Sequence, residues 1–283
     1  MFTADFHDDV RAFRERTRHF LLRDPVFNMH QLRLLSRAVE QISDGIESDA
    51  LWGIEVQHRG ETVCAATFSR RGALLVSPHP AEAKDALRSA IPAGIEISDV
   101  VGQSDAAWSI ACGLGHYELF IEGSLYALQT APSFVPSPVR CIQADASHLP
   151  IIIEWNRAFI TELELKDPLT DIAKHARYRV ERGQFFLAFE GAIPVGMAGG
   201  TYAGDGVGSI GPVYVLPEYR KRGLKIGQRV TAFTAQHLRA SGANCVVLMA
   251  DQKNPVSNAA YQKIGFINRG EYYHLQQIGQ PSR

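Results

Sequence analysis

The stretch PEYRKRGLKIG, Pro217 to Gly227, sets Arg220, Lys221, Arg222 and Lys225 around Gly223. The apolar run IGPVYV ends just before it and a helical pattern begins inside it, so these cations sit at a strand-to-helix junction. The first N–H groups of a helix have no intrahelical partner, and the helix dipole adds about half a positive charge there. A glycine turn lets backbone approach an anion closely, so the junction suits a diphosphate. From these residues alone, a solvated basic helix start stays open as the other reading. The spacing is not that of a G-x-x-x-x-G-K phosphate loop, because Gly223 and Gly227 are four apart and Gln228 follows. Nor does a G-x-G open the turn, as the dinucleotide fingerprint requires.

Two neighbouring stretches add chemistry. Gly211-Pro212 falls inside a strand that reads as central. Proline has no N–H for the ladder, so pairing fails on one side there and frees backbone groups for an extended ligand with amides of its own. The pantetheine arm of coenzyme A is such a ligand, with a diphosphate at one end. Further on, NPVSNAAYQKIGF carries Asn254 as an N-cap, Pro255 at the first helical position and Gly265 as a left-handed stop. Tyr261 lies on that helix, either as a phenol able to protonate a departing thiolate or as a ring packed under a sheet.

The elements that must position these residues follow from periodicity. Val10, Phe13, Phe20 and Leu21 suit a first helix, and Leu32, Leu34, Leu35 and Val39 a second. LWGIEVQ and TVCAATFS read as a hairpin turning at His58-Arg59-Gly60-Glu61, and ALLVS as a third strand. Helices follow at Ala81 to Ala90 and in DAAWSIACGL, then the long strand HYELFIEGSLYAL. QTAPSFVPSPVR, with three prolines and no period, reads as an interdomain linker. Beyond it the layout restarts: strand, two helices, three strands including FFLAFE and GSIGPVYV, helix, the buried run CVVLMA, helix, strand. The expected organisation is two copies of one fold, over 1–130 and 139–283, with a linker at 131–138.

A length of 283 residues suits two domains of roughly 100–150 each. The formal net charge of −1 argues against a general nucleic-acid binder. The four cysteines form no C-x-x-C pair and the ten histidines no zinc-type spacing, so no metal is expected. The N-terminus lacks an apolar signal region and no run is long enough to span a bilayer, which leads to the expectation of a cytoplasmic protein without membrane partners.

The runs GPVYVLPEYRKRGLKIGQRVTAFTAQHL and VVLMADQKNPVSNAAYQKIGF resemble the acetyl-CoA-binding core of the GNAT N-acetyltransferase superfamily, whose signature is R/Q-x-x-G-x-G/A after a splayed fourth strand. Arg220 to Leu224 match it, and Lys225 stands where the family has Gly or Ala. The resemblance covers about Ile142 to Tyr273; the first half resembles the family only in topology, as a degenerate copy. It implies an α/β fold of two GNAT-like domains, each a mostly antiparallel twisted sheet flanked by helices. It implies acetyl transfer from acetyl-CoA, as co-substrate, to a primary amine of a small molecule or peptide in a ternary complex. The cofactor would lie on Val213, Tyr214 and Val215, on Arg220, Lys221, Arg222, Gly223, Leu224, Lys225 and Ile226, and on Asn254 and Ser257. Tyr261 would be the general acid, and Glu162 and Glu164, in the acceptor loop, the candidates for the base. A noncatalytic acyl-CoA-binding regulator and a ligand-free interaction module are the competing readings, and a homodimer is compatible with all three.

Overall fold

The computed structural model describes residues 1–45, 51–69, 72–163 and 172–278. The chain runs through β1 (Phe2–His7), α1 (Val10–Leu21), α2 (Met29–Ser43), β2 (Leu51–His58), β3 (Glu61–Ser69), β4 (Ala73–Val76), α3 (Lys84–Ser89), β5 (Asp99–Gln103), α4 (Ser104–Ala111) and β6 (Tyr117–Leu128). It then repeats the same order as β7 (Arg140–Gln143), α5 (Leu149–Glu162), α6 (Ile172–Glu181), β8 (Phe185–Glu190), β9 (Ile193–Tyr202), β10 (Val207–Val215), α7 (Ile226–Ala240), β11 (Cys245–Asp251), α8 (Pro255–Ile264) and β12 (Ile267–Gln277). The β2–β3 hairpin turns through Arg59 and Gly60, both left-handed at φ 55° and 81°, as a two-residue hairpin of primed type needs. Among the described residues no helix is long and apolar enough to cross a membrane.

The chain divides into two compact units, though not at one point. Unit 1 takes Met1–Leu125, Met249–Lys253 and the chain from Asn268 on; unit 2 takes Tyr126–Leu248 and Asn254–Ile267. Where the sequence suggests a single cut near 131–138, the last strand thus serves the first unit. There β12 pairs antiparallel with β5, from Tyr272↔Gln103 to Gln276↔Asp99. The segment read as a linker belongs to unit 2.

In unit 1 the strands lie in the order β1-β2-β3-β4-β5-β12-β6. Ile54, Val56, Phe68, Leu74, Val100, Ile110 and Leu275 form its core. Strand β1 and strand β5 were not located from the sequence. β1 alternates Phe2, Ala4 and Phe6 with polar residues over only six positions beside acidic turns, too short a period to stand out.

In unit 2 the order is β11-β10-β9-β8-β7. Ile152 and Trp155 of α5 and Ala176 and Val180 of α6 cover Phe185, Leu187, Met197 and Tyr214 of its sheet. In unit 2 β10 pairs antiparallel with β9, β9 with β8 and β8 with β7, while β10 runs parallel to β11; in unit 1 the corresponding parallel pair is β4 with β5. That parallel pair is where the two copies part. In unit 1, β4 pairs with β5 along its whole length, from Ala73↔Asp99 to Val76↔Gly102, and a Cβ at Gly102 would meet Val76 O at 2.8 Å. In unit 2, β10 pairs with β11 only from Val207↔Cys245 to Ile210↔Leu248.

Candidate functional site

Beyond Ile210 strand β10 leaves β11. Its register with β9 shifts between Ile210 and Val213, across Gly211 and a cis Pro212, and resumes as Val213↔Ala198, Tyr214↔Met197 and Val215↔Gly196. A strand bonded on one side only has alternate N–H and C=O groups available on the other. The splay expected from Gly211-Pro212 is therefore present in unit 2 and absent from the equivalent strand of unit 1.

Strand β10 ends in a short helical turn at Pro217–Tyr219, and the backbone then turns left-handed twice before α7, at Gly223 (φ 74°) and at Lys225 (φ 54°). Lys225 is the N-cap of α7 and its side chain makes no capping hydrogen bond, which leaves the first N–H groups uncapped by it. A Cβ built on Gly223 would meet nothing within 4 Å, so the turn opens to solvent. Lysine at position 225 keeps the backbone shape that glycine adopts without strain, at a cost of about 1–2 kcal/mol for an L-residue. Its side chain is exposed. Lys225→Gly is expected to raise unfolding stability by about 0.5 kcal/mol, since the relief exceeds the added entropy of the unfolded chain. Urea denaturation checks this, and a loss of stability would contradict the strain.

The four cations do not act alike. Arg220 turns back: its Nε donates to Val215 O at 2.8 Å, and one Nη donates to both oxygens of Glu162 at 2.8 and 2.7 Å. Tyr214 shares this cluster, hydrogen-bonded to Glu162 with its own phenol held above the usual range, by burial first and by Glu162 next. The Arg220–Glu162 pair is about 40% exposed on each side (42% and 41%), so it adds only ~0.2–1 kcal/mol. Its effect is geometric, fixing the end of α5 to the end of β10. Arg222 is held bidentate by Glu190 at 2.9 and 3.2 Å and lies over Tyr219. Among the described residues Lys221 and Lys225 make no ion pair, and with the α7 N–H groups they carry the turn's available positive charge. Leu224 and Ile226 shape the turn, with Ile226 buried against Gly196.

The second cluster is on α8. Asn254 accepts from Ser257 N at 3.1 Å and so caps the helix, with Pro255 next. Tyr261 is 9% exposed, its ring between Tyr126 and Phe266. Burial pushes its phenol up to about 12, partly offset by a hydrogen bond with Ser257. The ring packs as a core residue, and Ser257 ties its hydroxyl to the capped end of α8. Glu164 lies outside the described residues, so of the two acids considered for the base only Glu162 has a position, and it is occupied by Arg220 and Tyr214.

Sequence reasoning missed Arg179. From α6 it is 6% exposed, donates from Nη1 to Gly211 O at 3.2 Å and from Nη2 to Thr201 Oγ1 at 3.4 Å, and sets its guanidinium 4.5 Å from the Phe185 ring. It grips the carbonyl at the point where β10 departs. Gly199 leaves the room: a Cβ there would lie 2.5 Å from Arg179 Nη2 and 2.6 Å from Gly211 O. The signal was a cation inside the apolar stripe of α6, three residues after Ala176 and one before Val180.

Residues 149–266 match the family model described as acetyltransferase (GNAT) family. No curated protein matches the chain. Among solved structures, a Drosophila protein is 12% identical with a TM-score of 0.65, over 95% of this chain and 97% of that one. A GCN5-related N-acetyltransferase from Sphaerobacter thermophilus is 16% identical with a TM-score of 0.58, over 97% and 95%. A tandem GNAT protein from the clavulanic acid biosynthesis pathway is 14% identical with a TM-score of 0.54, over 99% and 100%. At such identities the likeness is one of fold, and it extends over both copies.

Proposed function

We propose that this chain, whose residues 149–266 match the acetyltransferase (GNAT) family model, transfers an acetyl group from acetyl-CoA to a primary amine by direct attack. The observation that carries this reading is the parting of β10 from β11 beyond Ile210, directly ahead of a doubly left-handed turn and an uncapped helix start. The coenzyme's diphosphate would take the N–H groups of α7 with Lys221 and Lys225, and its pantetheine amides the open side of Val213 to Val215.

In the reaction the neutral amine attacks the thioester carbonyl, a C–N bond forms, and the C–S bond breaks to release the thiol. A backbone N–H of the open strand would hold the developing oxyanion. Tyr261 would give its proton to the departing sulfur, and the nitrogen would lose its proton to water. Glu162 is better suited to seating Arg220 than to taking a proton, because both of its oxygens already accept hydrogen bonds from the Arg220 guanidinium.

Two measurements test this. Acetyl-CoA should raise the unfolding midpoint, by the equivalent of about 2.7 kcal/mol at one hundred times its dissociation constant. A panel of amines should then release thiol with at least one member. Tyr261→Phe should lower turnover about 100-fold and leave acetyl-CoA affinity unchanged. Because burial raises the phenol above its ordinary ~10, Tyr261 stays a proton donor through pH 10 and adds no alkaline fall in rate below that. Full turnover in Tyr261→Phe would remove it from the mechanism.

The burial of Tyr261 favours one other reading, an acyl-CoA-binding regulator without turnover. Stabilisation by acetyl-CoA with no thiol release from any amine would select it.

A further inference from the structure

The segment between β6 and β7 is not a free tether but a strap in unit 2, running from the end of α8 to the turn before α7. Ser133 N donates to Ile264 O at the end of α8, at 2.8 Å. Ser137 Oγ donates to Leu224 O, within the anion turn, at 2.6 Å. Between these anchors Phe134 is 40% exposed, and the Arg229 guanidinium lies 4.8 Å from its ring centroid. Arg229 is one helical turn beyond Lys225, about 6 Å along α7. Its Nε is buried and has no hydrogen-bond partner among the described residues.

An exposed aromatic ring backed by a guanidinium, pinned beside a diphosphate seat, has the chemistry of a nucleotide platform. The ring offers its uncovered surface to a flat base, stacking is tolerant of base identity, and the cation offers charge to a phosphate. Proline at 132, 136 and 138 restricts the strap, so Phe134 is presented with little entropy left to lose.

We propose that Phe134 and Arg229 receive the nucleoside end of the coenzyme, with the base on Phe134 and the 3′-phosphate on Arg229. This rests on the reading that the turn around Gly223 takes the coenzyme's diphosphate. It makes the strap part of the binding site rather than a spacer, and predicts that the nucleotide half adds affinity beyond the diphosphate.

The test is calorimetric binding of coenzyme A, 3′-dephospho-coenzyme A and 4′-phosphopantetheine to the full chain and to Phe134→Ala, Phe134→Leu and Arg229→Met. The natural chain should bind coenzyme A at least tenfold more tightly than 4′-phosphopantetheine. Phe134→Ala should lose about tenfold for both nucleotide-bearing ligands and nothing for 4′-phosphopantetheine, with Phe134→Leu in between. Arg229→Met should lose more for coenzyme A than for the 3′-dephospho form. Equal losses for all three ligands in Phe134→Ala would reduce the strap to a structural brace, and equal losses of the two nucleotides in Arg229→Met would remove the 3′-phosphate contact. Failure of the natural chain to bind coenzyme A at all would overturn the underlying cofactor reading and this one with it. Tight binding of coenzyme A that Phe134→Ala leaves unchanged would overturn only the platform.

Discussion

Arg179→Met is expected to lower unfolding stability by about 2 kcal/mol and to weaken coenzyme A binding at least tenfold. The methionine fills much of the volume, so the loss isolates the guanidinium. Without it the half-buried Gly211 carbonyl loses a charged donor, which costs about 1.5–3 kcal/mol, and the contact with Phe185 forfeits up to ~2 kcal/mol more. New apolar burial offsets part of this. The binding loss has a separate origin: with Gly211 released, β10 relaxes toward β11 and narrows the gap the pantetheine amides would enter. Gly199→Ala should reproduce both effects from the opposite side, because its Cβ would collide with Gly211 O, a backbone atom that cannot step aside. Arg179→Lys should recover charge but not the paired donors, and so fall between. Chemical denaturation and calorimetry on the four proteins decide the matter. Native-like binding in Arg179→Met, whatever its stability, would mean that the splay does not depend on this arginine.

Unit 1 offers an internal comparison. Its β4 and β5 stay paired to Val76↔Gly102, and the segment after β4 is closed by His79, whose ring nitrogens meet Ser77 O at 2.9 Å and Ser109 Oγ at 3.0 Å. The same order of elements thus yields a sheet with a gap in one unit and without one in the other. What differs is local: Gly211-Pro212 with Arg179 behind it, and a left-handed, uncapped start to the following helix. Topology alone does not make the site.

Those local differences were unequally visible in the sequence. Gly211-Pro212 and the cation-rich turn announce themselves, because proline and glycine act on the backbone where they stand. So do the alternating strands and the repeat of element order. Contacts spanning long separations leave no such mark. Arg220 meets Glu162 58 residues away, Ser137 meets Leu224 87 residues away, and each of the polar residues taken alone reads as a side chain in water. The strap illustrates the limit: its prolines and serines have the composition of a linker, yet the Ser133 and Ser137 hydrogen bonds and the Phe134–Arg229 contact tie it to unit 2. The placing of β12 beside β5 was invisible for the same reason, since strand pairing partners are not encoded in a strand's own pattern.

Gly223→Glu should abolish the stabilisation by coenzyme A, while Gly223→Asn should keep it within several-fold. Both variants place a side chain at φ 74° with open space around the Cβ, so neither meets a steric barrier. Both bear a left-handed backbone cost, smaller for asparagine, which visits that region more readily. They differ in charge. A carboxylate about 5 Å from a bound diphosphate, at an effective dielectric near 20, opposes it by about 3 kcal/mol per phosphate charge, or more than 100-fold in affinity. Lys221 and Lys225, which form no ion pair among the described residues, would also be drawn to the new carboxylate and away from the ligand. Raising salt should narrow the gap between the variants, because repulsion at an exposed turn is screened within about 10 Å at 0.1 M. Equal damage by Asn and Glu would assign the effect to backbone shape. Undiminished binding in Gly223→Glu would mean that the phosphates lie elsewhere, and with them the strap's platform and the line of the pantetheine arm along Val213 to Val215.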